Sequence, residues 1–194
     1  MLNECNLKNF IECAIQHCNK NTPDKVFSFR DLVECLRSRF KSTIVEYEQG
    51  IKPAKEEASE KLELGNGEKR CYGVYIIYRV YSTEKKCEDL VKRGCGEVLY
   101  IGKGGTLESD ARYNDQDVIG RICNTRSKGK TANQWFKDMK RCGRICIEII
   151  CIDVVDGNNR TPQCKLLTPA FIESLLLSCY LYERGKLPQF NCEL

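Results

Sequence analysis

Apolar residues recur along this chain with two different periods, and the change of period divides it. In residues 3–19, Leu7, Phe10, Ile11, Ala14, Ile15 and Cys18 return every three or four positions, which is one face of a helix with Asn3 as its N-cap. Asn21-Thr22-Pro23 ends that helix. Ser28 and Asp31 have the spacing of a capping box with Asp in place of Glu, and Leu32, Val33, Leu36 and Phe40 follow as an apolar stripe. A third helix is expected to start at Pro53, a residue suited to a first turn, and to run to Leu64. Gly65-Asn66-Gly67 then breaks the pattern. The expected division is a helical accessory region over residues 1–65 and a second unit over residues 66–194.

Past the break the helical period gives way to β-branched and aromatic runs. Residues 71–81 and 98–102 read as strands, joined by a polar connection with a short helix at Cys87–Lys92. Residues 115–127 and 131–141 read as helices, the second carrying Trp135, Phe136 and Met139. Residues 144–155, RICIEIICIDVV, are the strongest strand signal in the chain. Thr168 and Pro169 then open a helix to Tyr182, with Phe171, Ile172, Leu175, Leu176 and Cys179 facing a core. The order ββααβα implies an α+β fold: a small antiparallel or mixed β-sheet flanked by helices, preceded by an N-terminal helical segment.

Composition changes this picture at the cysteines. The chain has 14 of them but a single histidine, His17, and no Cys-x-x-Cys, so the common Cys/His zinc patterns are nearly excluded. Cys142, Cys146 and Cys151 span a helix end and a strand, poor geometry for a closed zinc site. The cysteines are therefore expected to be reduced, small buried hydrophobes in a cytoplasmic protein. No run of 18 apolar residues indicates a membrane span, and the N-terminus does not read as a signal peptide.

Charge adds a direction. The net charge is +4, and residues 1–70 contribute nothing to it because twelve basic and twelve acidic side chains cancel. Residues 100–145 hold ten basic side chains, among them Lys103, Arg112, Arg121, Arg126, Lys128 and Lys130, against five acidic ones. A local excess of this kind suits a polyanion such as DNA, and it is also what a solvated helical face looks like.

The chemistry centres on the first two strands. Gly73 lies two positions before Tyr75, and Tyr100 two before Gly102, so each strand sets a phenol and a bare backbone patch on one face. Gly73-Val74-Tyr75 followed by Tyr100-Ile101-Gly102 resembles the signature of the GIY-YIG nuclease family. Further elements follow in that family's order: Gly120-Arg121 at the basic helix, Glu173 early in the last helix, and Phe190-Asn191 after Leu187-Pro188. The resemblance covers residues 70–192 and implies a metal-dependent endonuclease of the restriction type that hydrolyses DNA phosphodiesters. Hydrolysis needs a proton acceptor and positive charge where the phosphorane becomes anionic. Tyr75 is the expected general base, since nearby cations and a second phenol favour its ionised form. Tyr100 would orient the water, Arg121 and Lys103 would clamp the phosphate, and Asn191 would position Tyr75 or the substrate backbone. Glu173 would hold one Mg²⁺ or Mn²⁺. Arg112, Arg126, Lys128 and Lys130 are the expected DNA contacts, and Arg112 and Arg126 compete with Arg121 for the clamp.

Each of these residues also has a structural reading. Tyr75 and Tyr100 suit ordinary half-buried strands, Gly73 and Gly102 a bulge or close crossing, Glu173 a helix dipole and Asn191 a turn. Two departures from the family stand out: 25 positions separate Tyr75 from Tyr100, and Thr125 stands where many relatives have a histidine. Gly102-Lys103-Gly104-Gly105-Thr106 hints at a phosphate loop but lacks the Ser or Thr after its lysine. Two alternatives therefore stay open, a nucleic-acid-binding module without catalysis and a zinc-binding interaction protein. A homodimer would suit cleavage of both strands of a palindromic site.

Overall fold

The computed structural model describes residues 28–48, 50–65, 68–124, 132–140, 143–156, 160–162 and 167–191. The helix expected over residues 3–19, together with Arg126, Lys128, Lys130 and Cys142, lies outside them. Helix α1 (Phe29–Arg39) opens with the expected capping box: the Ser28 side chain accepts from the Asp31 N–H, and the Asp31 carboxylate accepts from the Ser28 N–H. Strand β1 (Lys41–Glu46) and helix α2 (Ile51–Lys61) follow. Strand β2 (Lys69–Val80), helix α3 (Cys87–Lys92), strand β3 (Glu97–Gly104) and the short helix α4 (Val118–Cys123) come next. Helix α5 (Ala132–Met139), strand β4 (Arg144–Asp156), helix α6 (Pro169–Arg184) and a 3₁₀ turn (Gln189–Asn191) complete the described chain.

The four strands form one antiparallel sheet in the order β1-β4-β2-β3. Both faces are covered. Helices α2, α4 and α5 and Phe190 of the 3₁₀ turn pack on one face, over Tyr75, Ile77, Tyr100, Ile147 and Ile149. Helices α1, α3 and α6 pack on the other, over Val74, Ile76, Ile101 and Ile150. Burial on two sides explains why β2 and β4 read as nearly continuous apolar runs rather than alternating ones. The α+β class with helices flanking a small sheet is what the element order implies.

Three expectations need correction. Residues 41–46, placed in the helical accessory region, form β1 and hydrogen-bond along β4, so the described part of that region shares the sheet. The segment is short, and only Ile44 and Val45 are large apolar residues, so its pattern offers little strand signal. The helix expected to begin at residue 115 begins at Val118, since the Asp117 side chain caps it by accepting from the Gly120 N–H at 2.7 Å, and its described part runs over Val118–Cys123. Helix α2 starts at Ile51, behind Gly50 at a φ of 125°, so Pro53 is its third residue and not its first.

The cysteines are not all thiols either. Cys71 is bonded to Cys151, and Cys87 to Cys146. The first pair joins the two central strands and the second ties α3 to β4. The cytoplasmic expectation rested on free thiols, and these bonds withdraw that support. Among the described residues no helix is long and apolar enough to cross a membrane.

Candidate active site

Strands β2 and β3 pair so that Tyr75 stands opposite Gly102 and Gly73 opposite Gly104. Three glycines in these strands serve three different close approaches. A Cβ on Gly102 would lie 2.5 Å from Tyr100 Cε1 and 2.7 Å from Tyr75 Cζ, so both phenols fold over the bare backbone of Gly102. A Cβ on Gly73 would lie 2.0 Å from the Ile150 carbonyl oxygen, where β2 crosses β4 beside a register shift at Tyr72/Gly73. A Cβ on Gly104 would lie 2.3 Å from Val118 Cα, so glycine lets the start of α4 press onto β3 and brings Arg121 with it.

These distances predict the effect of Gly102→Ala. The added methyl must displace two aromatic rings inside a packed core, at a cost of about 1–3 kcal/mol. Urea unfolding should show the lower midpoint, and any cleavage activity should fall with it because Tyr100 moves.

A cleft of about 180 Å³ opens around the end of β3, lined by Tyr100, Lys103, Thr106, Asn114, Gln116, Arg121 and Glu173. Strand β3 is at the edge of the sheet, and its side chains alternate between faces. Tyr100 therefore belongs to the α4 side and Lys103 points toward α6, so residues from both layers meet around the edge. Lys103 Nζ donates to Glu173 Oε2 at 2.8 Å. Arg121 Nη1 donates to Gln116 Oε1 at 3.2 Å.

The outer wall of the cleft is the loop from Gly105 to Asp117. Tyr113 stacks on Tyr72 with ring centroids 4.2 Å apart, anchoring the loop on β2. Asn114 Oδ1 accepts from the Thr106 and Gln116 N–H groups, both at 3.3 Å. Arg160 and Arg70 hold Asp115 at 3.0 and 3.6 Å. Burial pushes the Asp117 carboxyl above its ordinary range, against the opposing pull of the Gly120 N–H and the Arg70 charge.

The expected site residues separate clearly. Tyr100, Lys103, Arg121 and Glu173 meet at the cleft. Tyr75 does not line it: the residue is 0% exposed, and its ring lies 5.7 Å from that of Tyr100 inside the apolar core. Asn191 does not line the cleft. Its amide accepts from the Ile101 N–H at 2.9 Å and donates to the Ile101 carbonyl at 2.8 Å, completing the outer edge of β3. Arg112 is exposed, 3.9 Å from Asp110, and is not part of the cleft wall. Glu173 is the fifth residue of α6, past the first turn, so the helix dipole does not account for it. Asn114 and Gln116 carry no sequence signal, because a polar loop has no periodicity to mark which of its residues face inward, and Thr106 stands out only as the end of the Gly102–Thr106 run.

A magnesium ion is satisfied by one or two carboxylates, with water and phosphate completing its shell. Among the described residues no group of three or more His, Cys, Asp or Glu side chains gathers in a metal-binding arrangement. Glu173, a single carboxylate beside the polar side chains of a cleft, fits the sparser requirement of a magnesium site that shares its ligands with substrate. In comparison with known proteins, the chain matches no family model, no curated protein and no solved structure.

Proposed function

We propose that the chain is a divalent-metal-dependent DNA endonuclease of the kind its GIY-YIG resemblance implies. One observation carries the reading: a phenol, two cations and a carboxylate line the same cleft, as Tyr100, Lys103, Arg121 and Glu173. Arg121 would hold two oxygens of a phosphodiester at once, and Lys103 would add a second positive charge. Tyr100, as its phenolate, takes a proton from the attacking water and becomes the phenol. The water oxygen bonds to phosphorus as the bond to the leaving sugar oxygen breaks, and that oxygen is protonated from solvent. Glu173 would hold Mg²⁺ or Mn²⁺, which when bound supplies positive charge to the phosphorane.

The base role moves from Tyr75 to Tyr100 in this reading. A general base must reach the water it deprotonates, and Tyr75 has no exposed surface. Tyr75 instead backs the Tyr100 ring, and Asn191 keeps β3 in register beneath it. A twofold dimer would supply the second centre needed to cut both strands of a palindromic site.

The burial of Tyr75 and the engagement of Glu173 by Lys103 favour a second reading, a nucleic-acid-binding module without catalysis. Supercoiled plasmid separates the two. The nuclease reading expects nicking in Mg²⁺, none in EDTA, and a loss of roughly 10²–10³-fold in Arg121→Ala, the usual cost of removing one charge-stabilising donor. Salt-sensitive duplex binding with no cleavage under any divalent metal would establish the second reading instead.

A further inference from the structure

Glu173 is the carboxylate assigned to the metal, yet one of its oxygens is already engaged. The Lys103 ammonium donates to Glu173 Oε2 at 2.8 Å across the gap between β3 and α6, with the two side chains only 30% and 18% exposed. An ammonium and a divalent cation compete for the same carboxylate lone pairs. Away from bulk solvent their mutual repulsion is screened less than in open water. Lys103 also lines the cleft where the phosphate is expected. It cannot serve the carboxylate and the phosphate fully at the same time.

We infer that Lys103 is an exchangeable counter-ion: it holds Glu173 while the site is empty and passes to the phosphate of the substrate when metal takes the carboxylate. The inference rests on the nuclease reading of this cleft and names how that cleft is regulated. Lysine suits the task, since its charge is a point at the end of a flexible stem and can turn between two anions without a fixed bonding plane. The strand beneath it need not move, because Asn191 holds both backbone groups of Ile101, two residues away. Arg121, on the other side of the strand, is already oriented by Gln116. Metal and phosphate then bind cooperatively, each removing the obstacle to the other, and linkage requires the effect to be reciprocal.

The test uses the full chain, with Mn²⁺ as the metal probe and a labelled duplex as the DNA probe. Free Mn²⁺ is measured by electron paramagnetic resonance in the absence of DNA. Lys103→Met is expected to bind Mn²⁺ about tenfold more tightly than the parent, within the usual range for coupled sites. Lys103→Gln serves as the second variant, should the methionine disturb folding. Glu173→Gln, whose neutral amide releases Lys103, is expected to bind the duplex in EDTA several-fold more tightly. Its salt dependence should be steeper by about one phosphate contact, and adding Lys103→Met should remove that gain. Unchanged or weaker Mn²⁺ binding in both lysine variants would overturn the exchange. If the parent still cuts plasmid under that outcome, the nuclease reading survives alone. If no protein binds Mn²⁺ and none cuts, the exchange and the metal-dependent reading fall together.

Discussion

Tyr100→Phe is expected to lower Mg²⁺-dependent plasmid cleavage by roughly 10²–10⁴-fold, the range for losing a positioned general base, whereas Tyr75→Phe is expected to cost far less. The two tyrosines are close enough that only their surroundings distinguish them, with ring centroids 5.7 Å apart. Tyr100 lies on the cleft wall, held in orientation by a T-shaped contact with Trp135, the ring centroids 5.0 Å apart. Tyr75 belongs to the same core cluster, but it is 0% exposed against 6% for Tyr100 and does not line the cleft. Removing the Tyr75 hydroxyl takes a buried polar group from its surroundings, so it should register mainly in stability, at about 1–3 kcal/mol. Single-turnover rates for the two variants, beside their denaturation midpoints, separate chemistry from folding. A large rate loss in Tyr75→Phe with Tyr100→Phe left active would return the base role to Tyr75.

The second large effect is expected far from the cleft. Arg37 grips Glu148 from α1, with Nε donating to Oε1 at 2.5 Å and Nη2 donating to Oε2 at 2.9 Å. Tyr78 completes the group by donating its hydroxyl to Oε2 at 2.8 Å. Glu148 is wholly buried in β4. Burial pushes the Tyr78 phenol well above its ordinary range, and the Glu148 charge adds to that, so the hydroxyl stays protonated as a donor. Arg37→Met would leave the carboxylate with one neutral partner in the middle of the sheet. The expected loss is about 3–5 kcal/mol, or roughly 10 °C in the melting temperature of a domain this size. Scanning calorimetry measures it. Replacing all three members with apolar residues of similar volume should recover most of the loss, because the cost lies in stranding the charge. An equal loss in the triple variant would mean that the network specifies the fold and not only its stability.

This buried group also shows where reading the sequence stops. Periodicity and turn residues located α1 with its capping box, α3, α6 with its Thr168 cap, and the three long strands, because the physics involved is local. Ser28 and Asp31 are three residues apart, and the Thr168 side chain accepts from the N–H of Phe171. The candidate site was legible to the same extent. Two glycines beside two tyrosines announced a close approach, and the approach exists at Gly102.

Long-range proximity was not legible. Nothing local marks Lys41–Glu46 as a strand, since its partner β4 lies about a hundred residues further on. Arg37 and Glu148 look like two ordinary surface charges until α1 packs over β4, and Cys71 looks like any buried cysteine until β2 runs beside Cys151.

By itself the sequence determined the three long strands and the capped helices of this protein, and supplied the phenols, cations and carboxylate that line its cleft. Those follow from side-chain spacing and backbone preference within a few turns of chain. Only the tertiary structure decided which phenol lines the cleft, that Lys103 meets Glu173 around the sheet edge, and that Asn191 bonds both backbone groups of Ile101. Those outcomes depend on how two helical layers close over one sheet, which is a property of packing between distant segments.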